Sequence, residues 1–101
     1  MEPDHSEPQV TIRRATPTDL DALVELNREF CHAEGYSPNI AVVRTAFAPL
    51  VVDDRFGKVW IVDVSDMPDR PEGYGVITWG YSIEAGGVES IFDELYVRRQ
   101  K

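Results

Sequence analysis

Two long runs of strand-forming residues dominate the second half of the chain. They are Tyr74 to Glu84 (YGVITWGYSIE) and Ile91 to Lys101 (IFDELYVRRQK), with Ala85-Gly86-Gly87 shortly before the second. β-Branched and aromatic residues favour extended backbone, and the glycine pair supplies the positive-φ positions that a tight reversal needs. The runs therefore read as a β-hairpin, with Gly75 and Gly80 expected at bulges or close backbone approaches. The second run has apolar residues on both faces and Asp93 and Glu94 at its centre. It reads as a strand buried in a sheet that then leaves it through the basic tail Arg98-Arg99-Gln100-Lys101.

The residues upstream supply the rest of the sheet and its cover. Val10 to Arg14 alternates apolar and polar residues, the period of a half-buried strand. Thr16-Pro17-Thr18-Asp19 is a helix start, with a capping Thr, a Pro at the first helical position and an acid at the third. Leu20, Leu23, Val24, Asn27, Phe30 and Cys31 then share one helical face, and Gly35 is placed to end the helix. Ser37-Pro38 repeats the cap-then-proline signal before a second stripe of Ile40, Val43, Phe47, Leu50 and Val51. Pro49 removes a backbone donor there, so this helix is expected to kink or end near Phe47. Lys58 to Val64 (KVWIVDV) is nearly continuously apolar and suits a central strand covered on both faces. The expected order is β-α-α-β-β-β: an α/β fold of the α+β type, with two helices on a mostly antiparallel sheet.

At 101 residues the chain is one domain's worth, and a chain of that length buries only about 60–65% of its unfolded surface. Residues 1–9 hold two prolines and three acids, which reads as a disordered acidic leader ahead of a domain at 10–101. Ten Lys and Arg against eighteen Asp and Glu give a formal charge of −8, which disfavours a nucleic-acid partner and mildly favours cationic ones. Cys31 is the single cysteine. With no apolar leader and no run near the roughly 20 residues of a membrane span, the expectation is a cytoplasmic protein that does not engage a membrane. His5 and His32 lack ligand-spaced partners, so no metal site is expected.

Three pieces, VTIRRATPTDLDAL, HAEGYSP and WGYSIEAGGVESIFDELYV, occur in this order and at these spacings. Together they resemble the first half of the GNAT superfamily of N-acetyltransferases, and the likeness runs from Val10 to Lys101. The resemblance implies acetyl-CoA as cosubstrate and a primary amine, small-molecule or peptide, as acetyl acceptor. It implies a bulge in this last strand, which splays from its neighbour, and assigns the main-chain groups of Leu95, Tyr96 and Val97 to the acetyl carbonyl and pantetheine arm. A backbone N–H there would stabilise charge developing on the thioester oxygen. Asp93 or Glu94 would take a proton from the attacking amine. Strand alternation is expected to send these two acids to opposite faces, so that one at most meets the acceptor, with Asp93 favoured. The other reading makes both ordinary charged residues near a sheet opening, or pairs them with Arg13 or Arg14. The resemblance also places Phe30, Tyr36 and Tyr81 at the acceptor, with core packing as the alternative for Phe30.

In the family this strand runs on into a glycine-rich loop, R/Q-x-x-G-x-G/A, whose following helix holds the CoA pyrophosphate. The sequence stops at Arg98-Arg99-Gln100-Lys101 without that loop. The resemblance is thus to an N-terminal half, expected to bind acetyl-CoA weakly or not at all alone and to be inactive alone. An exposed strand edge is expected to bring a homodimer or a complementing C-terminal half. Two other readings stand beside it: a degenerate, non-catalytic relative serving as a dimerisation or binding module, and a small-ligand-binding domain unrelated to acetyl transfer.

Overall fold

The structure, a computed structural model, describes residues 8–98. Along the chain come β1 (Val10–Arg14), α1 (Leu20–Ala33), α2 (Ile40–Phe47), β2 (Gly57–Val64), β3 (Gly73–Ser82) and β4 (Gly87–Val97), with 3-10 turns at Pro17–Asp19 and Ala48–Val51. The strands form one antiparallel sheet in the order β1-β2-β3-β4. This is the α+β architecture expected from the sequence. Residues 1–7 of the expected leader lie outside the described residues. Gln9 is tied to the end of β2: its N–H donates to Ser65 Oγ at 2.8 Å, and its carbonyl accepts the Ser65 N–H at 2.9 Å.

The first helix starts where its signal stands. Asp19 accepts the Thr16 N–H at 2.8 Å and a two-pronged bond from Arg13 at 2.9 and 3.0 Å. Arg13 also reaches Asp63 at 2.7 Å, so one guanidinium joins β1, the helix start and β2. Gly35, at φ +94°, follows α1 as anticipated. The second helix departs by two residues from the Ser37-Pro38 signal. Asn39 is its cap, with Oδ1 accepting the Val42 N–H at 3.2 Å. Pro49 acts as expected, since the α-helix ends at Phe47 and one 3-10 turn replaces it.

Both helices pack on one face of the sheet, where Leu23, Leu26, Phe47 and Val51 meet Val59, Ile61, Tyr74 and Val76. Leu26, which the periodic stripe omitted, is as buried as its neighbours. The Phe47 and Tyr74 rings meet edge to face at 5.7 Å. Among the described residues no helix covers the other face. Ile12, Trp60, Val62, Ile77, Phe92 and Leu95 line an apolar hollow of about 240 Å³ there, and Ile12, Phe92 and Leu95 are more than half exposed. The expectation that β2 is covered on both faces therefore holds for one of them. β4, whose apolar residues on both faces read as a buried strand, is mostly exposed, and it is an edge strand of the sheet, in keeping with the exposed strand edge that the resemblance implies.

The glycines of β3 also act differently from expectation. A Cβ at Gly75 would meet only ordinary contacts, and one at Gly80 would meet the movable end of Ile91. The close backbone approaches are at Gly57, where a Cβ would strike the Ile77 carbonyl, and at Gly73, where it would lie 2.5 Å from the Tyr96 carbonyl oxygen. Because β2 pairs with β3 only as far as Thr78, the remainder of the β3–β4 hairpin projects beyond the sheet as a two-stranded ribbon. Gly86 and Gly87 turn it with positive φ, as anticipated.

Arg13 holds the Asp19 carboxyl below the ordinary aspartate range, opposed by partial burial and aided by the Thr16 N–H. A depressed folded-state pKa means that the ionised form stabilises the fold. That contribution is complete above the unfolded value of about 3.9 and is lost as pH falls through the folded one. Asp19→Ala should cost about 1–2 kcal/mol near neutrality, the range of a lost helix cap. Urea unfolding should show the gap to wild type closing as pH is lowered towards about 2; a gap independent of pH would contradict the assignment.

Candidate functional site

The register of the hairpin slips by one residue beside the two acids. Val76 stands opposite Glu94 and Ile77 opposite Phe92, leaving Asp93 as an extra residue in β4. Such a bulge suspends the alternation of side chains. Asp93 and Glu94 consequently line the same cleft of about 180 Å³, walled by Val42, Val43, Ala46 and Phe47 of α2 with Leu50, and floored by Asn27 and Val76. The expectation that they face opposite sides is overturned, because it assumed an unbroken strand.

The two acids differ in their surroundings. The Tyr74 hydroxyl donates to Glu94 Oε1 at 2.7 Å. The Asn27 amide donates to the same oxygen at 3.2 Å and to the Tyr74 oxygen at 3.1 Å. Cys31 Sγ donates in turn to Asn27 Oδ1 at 3.5 Å, a long contact of the weak thiol kind. Tyr74 is fully buried, and its phenol pKa is pushed far above the ordinary range, first by burial and then by its bond to Glu94. The hydroxyl is therefore a fixed neutral donor that holds Glu94 in place. Asp93 is exposed and has no hydrogen-bond or ion-pair partner among the described residues. Arg13 is bound to Asp19 and Asp63, and Arg14 to Asp54, so neither pairs with the acids of β4.

The main-chain edge can be read from one bond. The Arg98 N–H donates to the Glu72 carbonyl at 2.8 Å, which sets the phase of the β3–β4 ladder. Antiparallel strands turn alternate residues towards the partner. Tyr96, opposite Tyr74, thus spends its main-chain groups on β3, while Leu95 and Val97 direct theirs to the free edge. Of the three residues expected to offer main-chain groups, two do so, and the middle one does not. The Tyr96 side chain instead lies on the helix side, tilted against Phe30 at 5.9 Å with its hydroxyl 3.4 Å from Glu29.

Phe30, Tyr36 and Tyr81 do not come together. Phe30 packs on Tyr96. Tyr36 is 56% exposed and borders a hollow with Arg28, His32 and Pro38. Its phenol pKa is raised first by a hydrogen bond with Cys31 and also by the charge of Glu94, so it stands near the Cys31–Asn27–Glu94 chain without lining the cleft. Tyr81 is 76% exposed and sits on the projecting ribbon opposite Val88. None of them lines the Asp93–Glu94 cleft.

The start of the basic tail is also occupied. Arg98 grips Glu29 through two bonds of 2.8 and 2.7 Å and reaches the Pro71 carbonyl at 3.0 Å and Glu72 at 3.4 Å. Glu72, buried, takes Arg70 as well at 2.8 Å. Arg99, Gln100 and Lys101 lie outside the described residues. Sequence reasoning missed Asn27 and Tyr74 as site residues. The available signal was Asn27 itself, a polar residue in an otherwise apolar helical stripe.

No family model matches the sequence, and a search of curated proteins finds no relative. Solved structures do resemble it. An integron cassette protein from the mobile metagenome of Cole Harbour Salt Marsh superposes with a TM-score of 0.77 at 30% identity, over 86% of this chain and 55% of its own. A candidate acetyltransferase from Clostridium difficile 630 gives 0.74 at 24% identity, over 89% and 58%. Another from Arthrobacter sp. FB24 gives 0.68 at 24%, over 90% and 55%. The chain spans a little over half the length of these structures, and at such identities the likeness to the two acetyltransferases is one of fold. No helix among the described residues is long and apolar enough to cross a membrane.

Tyr74→Phe should cost about 1 kcal/mol near neutrality, the net worth of a hydrogen bond. With the folded-state pKa of Tyr74 raised, its contribution is fully present below about pH 10 and is lost as pH rises through the folded value. Wild type should therefore lose stability in alkali more steeply than the variant. Parallel alkaline limbs in denaturant titrations of the two proteins would refute the neutral-donor role.

Proposed function

We propose that this chain, which carries about half of the GNAT acetyltransferase fold, forms the acceptor side and one cosubstrate-facing edge of an acetyl-CoA-dependent N-acetyltransferase acting on a primary amine. The observation that carries this reading is the bulge at Asp93, which sets two carboxylates in one cleft next to main-chain groups turned to an open strand edge. An ammonium ion is attracted to that pair and must lose a proton before its nitrogen can attack. Asp93, exposed and unpartnered, is the acceptor for that proton. Glu94, anchored by Tyr74 and Asn27, keeps a negative charge that positions the amine.

The residues present fit the acyl end of acetyl-CoA. Leu95 and Val97 would hold the extended arm as a neighbouring strand would, with an N–H available to the thioester oxygen. When bound, acetyl-CoA supplies an acetyl thioester, whose C–S bond is exchanged for a C–N bond with release of the thiol and a proton. Arg98 is engaged by Glu29 and Glu72, so it is not offered as a phosphate ligand.

Titration of isotope-labelled protein with acetyl-CoA should shift the amides of Leu95 and Val97 more than that of Tyr96. Leu95→Pro should remove the effect while leaving the fold intact, since a proline whose missing N–H faces the open edge costs no ladder bond. Asp93→Asn should slow amine acetylation by the complete protein by about 10²-fold, within the range of a lost general base. Shifts confined to other surfaces, or an unchanged rate in Asp93→Asn, would overturn the proposal.

A further inference from the structure

The chemistry of the cleft is unevenly distributed. At one end stand the Asp93 and Glu94 carboxylates, with the Asn27 amide committed to Glu94. Everything beyond them, from Val42 and Val43 through Ala46 and Phe47 to Leu50, is hydrocarbon. The cleft of about 180 Å³ is smaller than the roughly 300–1,000 Å³ of pockets for drug-sized ligands. At about 30 Å³ per water it holds the equivalent of some six waters. That is room for a molecule of about six to nine non-hydrogen atoms.

Such a shape has one place for a positive charge and none for a second. A polyamine's other ammonium would find no acid along the α2 wall and would have to reach past the exposed Val42 to water, and an amino sugar would leave its hydroxyls unmatched. Burying either without a partner is unfavourable. Arg44, the arginine of α2, does not alter the balance, because it is paired with Asp21 of α1. Neither acid in the cleft has a cationic partner among the described residues.

From this geometry we infer that the acceptor is a small primary monoamine with an apolar body, an alkylamine or arylalkylamine, held by its ammonium between Asp93 and Glu94 and by its hydrocarbon against α2. The inference rests on the acceptor-site reading above and sharpens it to a substrate class. It turns the general expectation of a cationic partner, drawn from the acidic balance of the whole chain, into a demand for a single charge.

The test is titration of isotope-labelled protein at neutral pH with n-hexylamine, 1-hexanol and spermidine at matched ionic strength. Hexylammonium should shift the amides of Asn27, Val42, Asp93 and Glu94 and bind at least about tenfold more tightly than either of the others, a difference of one decade in Kd. Asp93→Asn should weaken it. Val42 is 62% exposed, so Val42→Glu leaves the core intact while adding a carboxylate to the hydrocarbon wall. It should reverse the preference towards 1,6-diaminohexane. Equal or tighter binding of spermidine or hexanol, shifts outside the cleft, or a Val42→Glu variant with unchanged preference would each overturn the inference. Acetylation of spermidine but not of hexylamine by the complete protein would overturn it and leave the acetyltransferase reading standing. Hexylammonium bound in the cleft but never acetylated would overturn both readings of it as an acceptor and leave only a binding site for a small monoamine.

Discussion

A single extra residue in an edge strand governs how this molecule presents its chemistry. β4 pairs with β3 along its whole length, and without Asp93 as an inserted residue the strand would alternate strictly from Gly87 to Val97. Its acids would then part, one to the helices and one to the open face. The bulge brings both to the helix side, and beyond it the ladder resumes with Glu94 and Tyr96 over the core and Leu95 and Val97 on the other face. The strand thus carries two functions at different atoms. Its side chains form the floor of a cleft, and its main chain offers an unpaired edge.

That arrangement needs a rigid backing, and the core supplies it through a polar group where an apolar one would be cheaper. Tyr74 fills the centre of the sheet against Phe47, and its hydroxyl emerges at Glu94. Burial of a phenol is tolerated only with a partner. Glu94 and Asn27 provide it, so packing of the core and placement of the carboxylate become one event. At the far end of β4, Arg98 fastens the strand to α1 through Glu29 and to the β3 approach through buried Glu72. Breaking a partly buried pair of this kind is costly because it strands the remaining charge.

Much of this was legible in the sequence. The Thr16-to-Asp19 start, the proline that ends α2 and the glycines that turn the hairpin each state their role in a few adjacent residues. Their structural outcomes depend on local backbone chemistry. A bulge in β4 is implied by the family resemblance, but its place at Asp93 is not legible in the residues, where Gly75 and Gly80 point to β3 and the inserted residue is an aspartate. A bulge is a property of the pairing of two strands, and one strand read alone cannot show it. The residue pattern of β4 hides the exposure of its faces for a similar reason, although an exposed strand edge is among the expectations that the resemblance implies. Apolar residues on both faces describe a strand that could be covered twice, whereas the described residues cover it once. The resemblance groups Phe30, Tyr36 and Tyr81, and the fold sets Tyr81 apart from the other two because the projecting ribbon and the end of α1 occupy different parts of the molecule.

The acidic balance of the chain takes on a different meaning once its carboxylates are located. Asp19, Asp63, Asp54, Asp21, Glu25, Glu29 and Glu72 are all matched to arginines in the described structure. These charges tie elements together and project little field. Asp93 and Glu94 are matched to none, and they stand beside a hydrocarbon wall that limits screening by water. Unpaired charge at the border of a low-dielectric surface attracts a counter-charge more strongly than the same charge in open solvent. The cleft therefore keeps two carboxylates that no arginine among the described residues neutralises, and this is the observation on which the proposed cationic acceptor rests.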